Sequence, residues 1–190
     1  MELRTPRLVL REMREDDWRD IQTYAGDRIV CRFMEWGPNT PKKTRDFVRS
    51  VLTEPASRPR YNYNLVMTQD GTLVGAVRLT IRSRDDREAD IGYVCSRPYW
   101  GRGYATEASR ELLHFGFEKL RMHRIYATCD PRNGASWRVM EKLGMTREGH
   151  LRQHKFVKGA WRDSMLYAIL EREWRAAARA STRASRRGTR

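Results

Sequence analysis

The feature of this sequence that most constrains its fold is a β-rich run, Ala89–Cys95, which a glycine turn and an amphipathic stretch connect to a second β-rich run, Arg124–Cys129. Apolar residues recur close to helical spacing between Tyr104 and Leu120, which predicts a helix there. Strands joined by a helix lie parallel in one sheet, and the crossover between them is right-handed. The sequence therefore predicts a parallel strand–helix–strand unit near the middle of the chain.

The patterns on either side predict further strands and helices around this unit. Expected strands cover 8–11, 61–68, 72–82, 147–156 and 161–170, and expected helices cover about 16–24, 41–52 and 130–143. The last helix is expected to be capped by Asp130 and Pro131. Turn residues at Gln69-Asp70-Gly71 and Lys158-Gly159 predict two hairpins. Together these patterns indicate a mixed α/β sheet.

Composition narrows the class of protein. Because the 190 residues are 39% hydrophobic, we expect one domain over 1–175 and a flexible, arginine-rich extension over 176–190. No apolar run approaches the roughly 18 residues of a membrane span, and no secretory leader is expected. Cys31, Cys95 and Cys129 lack metal-ligand spacing, which predicts reduced thiols, a cytoplasmic protein and no metal site.

Gly101 and Gly103 stand at the turn into the predicted central helix. Glycine lets the backbone turn tightly and approach a ligand, and the first turn of a helix presents free N–H groups with partial positive charge. Such a turn can hold a pyrophosphate, and the alternative is a plain helix cap. The turn lacks the Gly-Lys-Ser/Thr of a P-loop, and it lacks the third glycine and spaced acidic residue of a dinucleotide fold.

Several segments are similar to one family. Asp90–Val94 and Tyr99–Ala108 resemble the acetyl-CoA motif of GNAT N-acetyltransferases. Asp130–Asn133 with Ser136, the Glu141–Gly149 segment and the opening Leu3–Arg11 resemble the Rim-type branch, which includes enzymes that acetylate the N-termini of ribosomal proteins. The resemblance covers about residues 2–174 and implies the GNAT fold, a mostly antiparallel twisted sheet with a central parallel β-α-β unit and flanking helices.

The resemblance implies acetyl-CoA as the co-substrate, bound where the two parallel strands splay apart. The pantetheine arm would bond like an added strand to main-chain groups of Val94, Cys95 and Ser96, and Asn133 would also hold it. An amide of Val94 or Cys95 would face the oxyanion. The pyrophosphate would bind the main chain of Gly101, Arg102, Gly103, Tyr104, Ala105 and Thr106.

The resemblance also implies catalytic residues. Ser136 would protonate the leaving thiolate, because Met140 stands where many GNAT enzymes carry a tyrosine acid; the alternative for Ser136 is helix capping. Asp90 would be the general base, since GNAT enzymes often carry a carboxylate at that strand position, and the alternative is a solvated edge charge. Glu88, His154 and a water molecule are the other candidates for the base.

The sequence leaves the acceptor open. An α-amine, with a pKa of about 7.7–8.0 against about 10.4 for lysine, needs little help from a base, so we expect a protein or peptide N-terminus. The alternative is a small-molecule amine such as an amino acid, a polyamine or an aminoglycoside. Acidic walls from Glu35 or Asp90 would favour a cationic amine, and arginine-rich walls would favour an acidic peptide. The net charge of +14 keeps a catalytically inactive RNA- or ribosome-binding protein as a third alternative, and a homodimer is compatible with the sequence.

Overall fold

One mixed sheet organises the protein, as seen in a computed structural model that describes residues 1–53, 59–177 and 179. The strands within these residues are β1 (Glu2–Arg4), β2 (Val9–Glu12), β3 (Asn62–Gln69), β4 (Thr72–Ser83), β5 (Glu88–Cys95), β6 (Arg124–Cys129), β7 (Thr146–Val157) and β8 (Ala160–Leu170). The helices are α1 (Trp18–Ala25), α2 (Pro41–Thr53), α3 (Tyr104–His114), α4 (Gly134–Lys142) and α5 (171–177).

The described strands follow the spatial order β1-β2-β3-β4-β5-β6-β8-β7. Neighbouring strands are antiparallel except for β5 and β6, which are parallel and are connected through α3. The predicted fold class is confirmed, and β6 begins and ends at the predicted residues.

Helices pack on both faces of the sheet. α3 and α4 cover one face over a large apolar cluster that includes Ile91, Phe117 and Met140. α1 and α2 cover part of the other face over a smaller cluster that reaches Val94. Because side chains alternate along a strand, the odd-numbered residues of β5 face α3 and α4, and the even-numbered residues face the side of α1 and α2.

α4 begins later than predicted. Its N-cap is Asn133, whose side-chain oxygen accepts a hydrogen bond from Ser136 N (3.3 Å). The expected cap at Asp130 is wrong, because the Asp130 carboxylate accepts from Arg132 N (3.0 Å) and turns the chain before the helix starts.

The predicted central helix changes character at its end, where Phe115–Lys119 form a π-helical turn. Two further elements, β1 and α5, were not predicted. α5 packs on the core through Trp174, whose ring stacks on Phe117 with centroids 5.9 Å apart. The predicted arginine-rich extension lies largely outside the described residues, since 178 and 180–190 are not described. No helix that the structure describes is long and apolar enough to cross a bilayer.

β4 and β5 approach each other closely at Gly75, near the end of β5. A Cβ there would lie 2.2 Å from Val94 O and 2.5 Å from Met67 Cε. We expect Gly75→Ala to lower the free energy of unfolding, measured in urea, by about 1–3 kcal/mol, the usual cost of overpacking. Gly149→Ala is the control, because a Cβ there meets nothing within 4 Å. Equal stability of the two variants would contradict the close approach.

Candidate active site

β5 and β6 pair over a short stretch and then separate. Glu88–Asp90 lie opposite Arg124–Tyr126, and the described chain shows no pairing of these strands beyond that point. The rest of β5 pairs with β4 alone. The resulting gap opens toward the C-terminal ends of both strands, the end at which open α/β sheets bind ligands. This separation agrees with the splay that the resemblance implied.

Main-chain groups of β5 turn alternately toward β4 and toward the gap. Ser96 N donates to Val74 O on β4 (2.9 Å). Val94 lies two residues earlier, in the same phase of the antiparallel ladder, so its main-chain groups also point to β4.

Odd-numbered residues of this segment turn the other way. Arg87 O accepts a hydrogen bond from His123 N (2.7 Å), on the side of β6. Tyr93 and Cys95 share that phase and therefore present their main-chain groups to the gap. The main-chain groups of Val94 and Ser96 therefore face β4, and those of Tyr93 and Cys95 face the gap. The expected pantetheine contacts at Val94, Cys95 and Ser96 stay a prediction.

An indole side chain engages this edge of β5. Trp100 Nε1 donates to Cys95 O (2.8 Å), although the residue is 48% exposed. The Cys95 carbonyl has two lone pairs, so a ligand could bond to it beside the indole or in its place. The indole therefore covers part of this strand edge while about half of Trp100 remains exposed.

The glycine turn brings the start of α3 to the end of β5. Gly101 and Gly103 have φ values of 74° and 80°, in the left-handed region that favours glycine. A Cβ on Gly101 would meet nothing within 4 Å, and one on Gly103 would meet only Arg7 Nη2, at 3.5 Å. The backbone conformation, and not packing, therefore requires these glycines. Glu107 N donates to Gly103 O (3.0 Å), which leaves the amides of residues 103–106 without intrahelical partners.

The predicted residues of this first turn have different surroundings. Tyr104 is buried and its hydroxyl donates to Gln69 Oε1, so Tyr104 offers only its main chain to a ligand. Ala105 N forms a hydrogen bond with the Cys95 thiol, whose pKa burial nevertheless raises to about 12. Cys95 is therefore a protonated thiol and not a nucleophile.

Glu107 ties α3 to the connection between β1 and β2. Its carboxylate accepts hydrogen bonds from Thr5 Oγ1 (2.6 Å), Arg7 N (2.9 Å) and Arg7 Nε (2.6 Å). Burial would raise the pKa of Glu107, but these hydrogen bonds outweigh burial and lower it. Arg7 also donates to Arg102 O (3.0 Å), so the same set of hydrogen bonds extends to the glycine turn.

A groove of about 510 Å³ lies beside the first turn of α3. It runs from the β1–β2 connection to the end of α4 and is lined on its cationic side by Arg4, Arg7, Arg110 and Lys142. Arg110 Nη2 donates to Lys142 O (2.9 Å), which fixes the far wall. The lining also includes the acidic Glu107 and Glu111, and the groove adjoins the first turn of α3 at Gly103 and Thr106.

Ser136 and Tyr93 meet across the gap. Tyr93 Oη donates to Ser136 O (2.7 Å) and lies 3.1 Å from Ser136 Oγ. Ser136 also acts on the Cys129 thiol and lowers its pKa, but burial outweighs this effect and raises that pKa to about 11. Since Asn133 is the N-cap of α4, Ser136 is not the capping residue.

Tyr93 is a site residue that sequence reasoning missed. Burial raises the pKa of its phenol above the ordinary value, so the phenol stays protonated. Its single O–H group donates a hydrogen bond to Ser136 O. The Ser136 hydroxyl is then left to donate to Tyr93 Oη or to a sulfur atom in the gap. Tyr93 lies within the motif that carries the resemblance, and its place two residues before Cys95 is the signal that could have identified it.

The candidates for the general base are spread over the structure. Asp90 is buried and both of its oxygens are engaged, by Arg78 Nη2 (2.8 Å) and by Arg82 Nε. Glu88 lies 3.6 Å from Arg124 Nε at the paired end of the strands. His154 is exposed, in a stretch of β7 where the register with β8 shifts. The base at Asp90 stays a prediction, and its two ion pairs favour a structural role.

A loop and a hairpin frame the mouth of the gap on the face of α1 and α2. The loop 27–36 follows α1, and Asp27 Oδ2 lies 3.8 Å from Arg97 Nε, just after β5. On the opposite side of the gap, Lys158 Nζ donates to Cys31 O (2.6 Å) from the β7–β8 turn. Because the loop contacts both sides, it bounds the entrance through which an acceptor would reach Ser136.

Comparison with known proteins identifies the family. The model of the acetyltransferase (GNAT) domain matches residues 7–146. The N-acetyltransferase YnaD of Bacillus subtilis is 33% identical over 174 residues, which are 92% of this chain and 99% of that protein. The chain therefore belongs to the GNAT family and is an N-acetyltransferase, as the motifs predicted.

Two further relatives are similar along most of the chain, and the name of only one of them states a substrate. The crystal structure of a GNAT-family acetyltransferase from Bacillus anthracis has a TM-score of 0.79 at 33% identity and covers 90% of this chain and 99% of that one. Spermidine N(1)-acetyltransferase of Escherichia coli is 29% identical over 166 residues, 87% of each chain.

The contact between Ser136 and Tyr93 predicts a graded loss of activity. Ser136→Ala should lower kcat by about 10²-fold or more, the usual contribution of a positioned acid. Tyr93→Phe should lower it by about tenfold, close to the ~1 kcal/mol of one hydrogen bond. Neither variant should change the KM for acetyl-CoA by a similar factor.

The double variant and a matched tyrosine provide the control. If Tyr93 acts through Ser136, the double variant should be no slower than Ser136→Ala. Tyr63→Phe, which removes a hydroxyl from a half-buried tyrosine on β3, should leave kcat unchanged. Multiplicative losses in the double variant would show that the two hydroxyls act independently.

Proposed function

We propose that this protein transfers the acetyl group of acetyl-CoA directly to the α-amine of a protein or peptide. The observation that carries the proposal is the separation of β5 and β6 beside a helix whose first amides have no intrahelical partner. A strand edge suits the amide-containing pantetheine arm, and an amide-rich helix start suits a pyrophosphate. The two features stand next to each other, in the order in which these groups occur along the cofactor.

Named residues would hold each part of the cofactor. Main-chain groups of Tyr93 and Cys95 would pair with pantetheine, together with the amide group of Asn133 that the helix cap leaves available. The main chain of residues 101–106 would bind the pyrophosphate. The cationic groove beside α3 would hold the nucleotide end. The cofactor supplies an acetyl thioester, and Ser136 would donate a proton to the departing sulfur.

Whether the acidic side chains are already ion-paired distinguishes between the two classes of acceptor. Similarity to a spermidine acetyltransferase makes a small-molecule polyamine the second candidate. Such a cation needs open carboxylates, yet Glu35 is paired with Lys155 Nζ (2.5 Å) and Asp90 with two arginines. Paired carboxylates attract a cation weakly, which favours a peptide N-terminus.

Cofactor binding can be tested at the glycine turn. Gly103→Val should weaken CoA binding at least tenfold in calorimetry, because a branched residue at φ 80° displaces the amides that would bind the pyrophosphate. Gly71→Val is the matched control, since Gly71 has the same φ of 80° and open space around its Cβ. Equal CoA affinity of both variants would remove the pyrophosphate from this turn.

The acceptor class can be tested by pH dependence. For an N-terminal peptide, kcat/KM should rise with pH and level off near the α-amine pKa of about 7.7–8.0, whereas a lysine side chain would give a rise toward about 10.4. The measurement uses thiol release with one peptide carrying a free N-terminus and no lysine. A matched peptide has an acetylated N-terminus and one lysine. Activity on the second peptide alone would exclude the α-amine as acceptor.

A further inference from the structure

The open part of the sheet on the face of α1 and α2 carries excess positive charge. Arg78 and Arg82, on β4, share the single carboxylate of Asp90 on β5. The two guanidinium groups are 40% and 48% exposed, whereas the carboxylate is 9% exposed. An incoming molecule therefore meets the arginines and not the acid.

The same arrangement recurs at the end of β6. The Asp130 carboxylate is 5% exposed and lies 2.6 Å from Arg132 Nη2 and 3.8 Å from Arg162 Nη1. Hydrogen bonds from Arg132 hold the pKa of Asp130 below its ordinary value. Two cations again share one buried anion.

The loop 27–36 adds further positive charge at the mouth. Arg32 lies beside the β7–β8 hairpin, where its carbonyl accepts a hydrogen bond from Arg162 Nη1 (3.2 Å). Among the described residues, neither Arg32 nor Lys158 forms an ion pair with a carboxylate. Asp27 and Glu35, the acidic side chains of this loop, are each paired with a cation.

The hairpin extends this cationic surface outward from the gap. Cys129 pairs with Met165, so residues 160–164 of β8 project beyond the end of β6. At roughly 3.3 Å per residue this projection is about 16 Å long. An extended peptide whose amine reaches Ser136 would lay about four or five residues along it.

From this charge distribution we infer that the acceptor of this enzyme is an acidic peptide, with carboxylates among the residues that follow its N-terminal amine. The inference rests on the proposed function and adds the chemical class of the substrate. Arg32, Lys158 and Arg162 would contact these carboxylates. Complementary charge of this kind acts mainly through encounter rate and selection among partners.

A set of peptides of equal length tests the inference. Three peptides begin with the same serine and carry Glu, Gln or Lys at positions two to five. We expect the KM of the Glu peptide to be at least about tenfold below that of the Lys peptide, with similar kcat, and we expect the difference to shrink as salt screens the charges. Spermidine, a polycation, should be a poor acceptor.

Charge reversal at Arg32 tests whether the KM of a peptide depends on attraction between its charges and this arginine, or only on a general effect on the structure. Arg32→Glu should raise the KM of the Glu peptide and lower that of the Lys peptide. Lys119→Glu makes the same change of charge on an exposed residue between α3 and β6, away from the mouth, and should alter neither value. Binding of CoA by all three proteins serves as the check on folding.

The outcomes distinguish this inference from the proposed function. Acetylation of the three peptides with equal KM, or with the Lys peptide preferred, would overturn the acidic-peptide inference and leave the α-amine as acceptor. No thiol release with any peptide, together with rapid acetylation of spermidine, would instead overturn the proposed acceptor class.

Discussion

The interrupted pairing of β5 and β6 is the constraint on which the rest of the site depends. A strand edge that faces a gap leaves main-chain N–H and C=O groups without a ladder partner, and each such group costs about 1–3 kcal/mol if it is buried without a hydrogen bond. In this structure Trp100 satisfies one of them at Cys95, and the Tyr93 hydroxyl reaches across to Ser136. Specific contacts therefore occupy part of the strand edge at the gap, and a ligand that can pair like a strand would gain by bonding to the rest.

The position of α3 follows from the same geometry. The helix starts close to the end of β5, and two glycines in the left-handed region make the turn between them. Glu107 then fixes the helix by binding the segment that connects β1 and β2. The N-terminal segment and the glycine turn, distant in sequence, therefore form one mechanical unit.

Local patterns predicted much of this fold, and longer-range register determined the rest. β6 and both hairpins were predicted because alternation and turn residues lie within a few positions of each other. Which residues of β5 turn their main-chain groups to the gap was not predictable, since it depends on the register of β5 against β4. The helix cap at Asn133 was missed because Asp130 and Pro131 offer an equally good local signal. The partners of Asp90 are Arg78 and Arg82 on β4, so the residues next to Asp90 in sequence do not indicate them.

The positive charge around Asp90 and Asp130 would affect how an acceptor amine loses its proton as well as which acceptor binds. Direct transfer needs a neutral amine, and a general base is one way to obtain it. Neighbouring positive charge is another, because like charges disfavour the ammonium form and lower its pKa. Guanidinium groups outnumber carboxylates around both Asp90 and Asp130, so an α-amine bound beside them would lose its proton more readily than in water. If the acceptor is the acidic peptide that we propose, the surface that binds its carboxylates would also favour the neutral amine, and Asp90 could have a structural role without serving as a base.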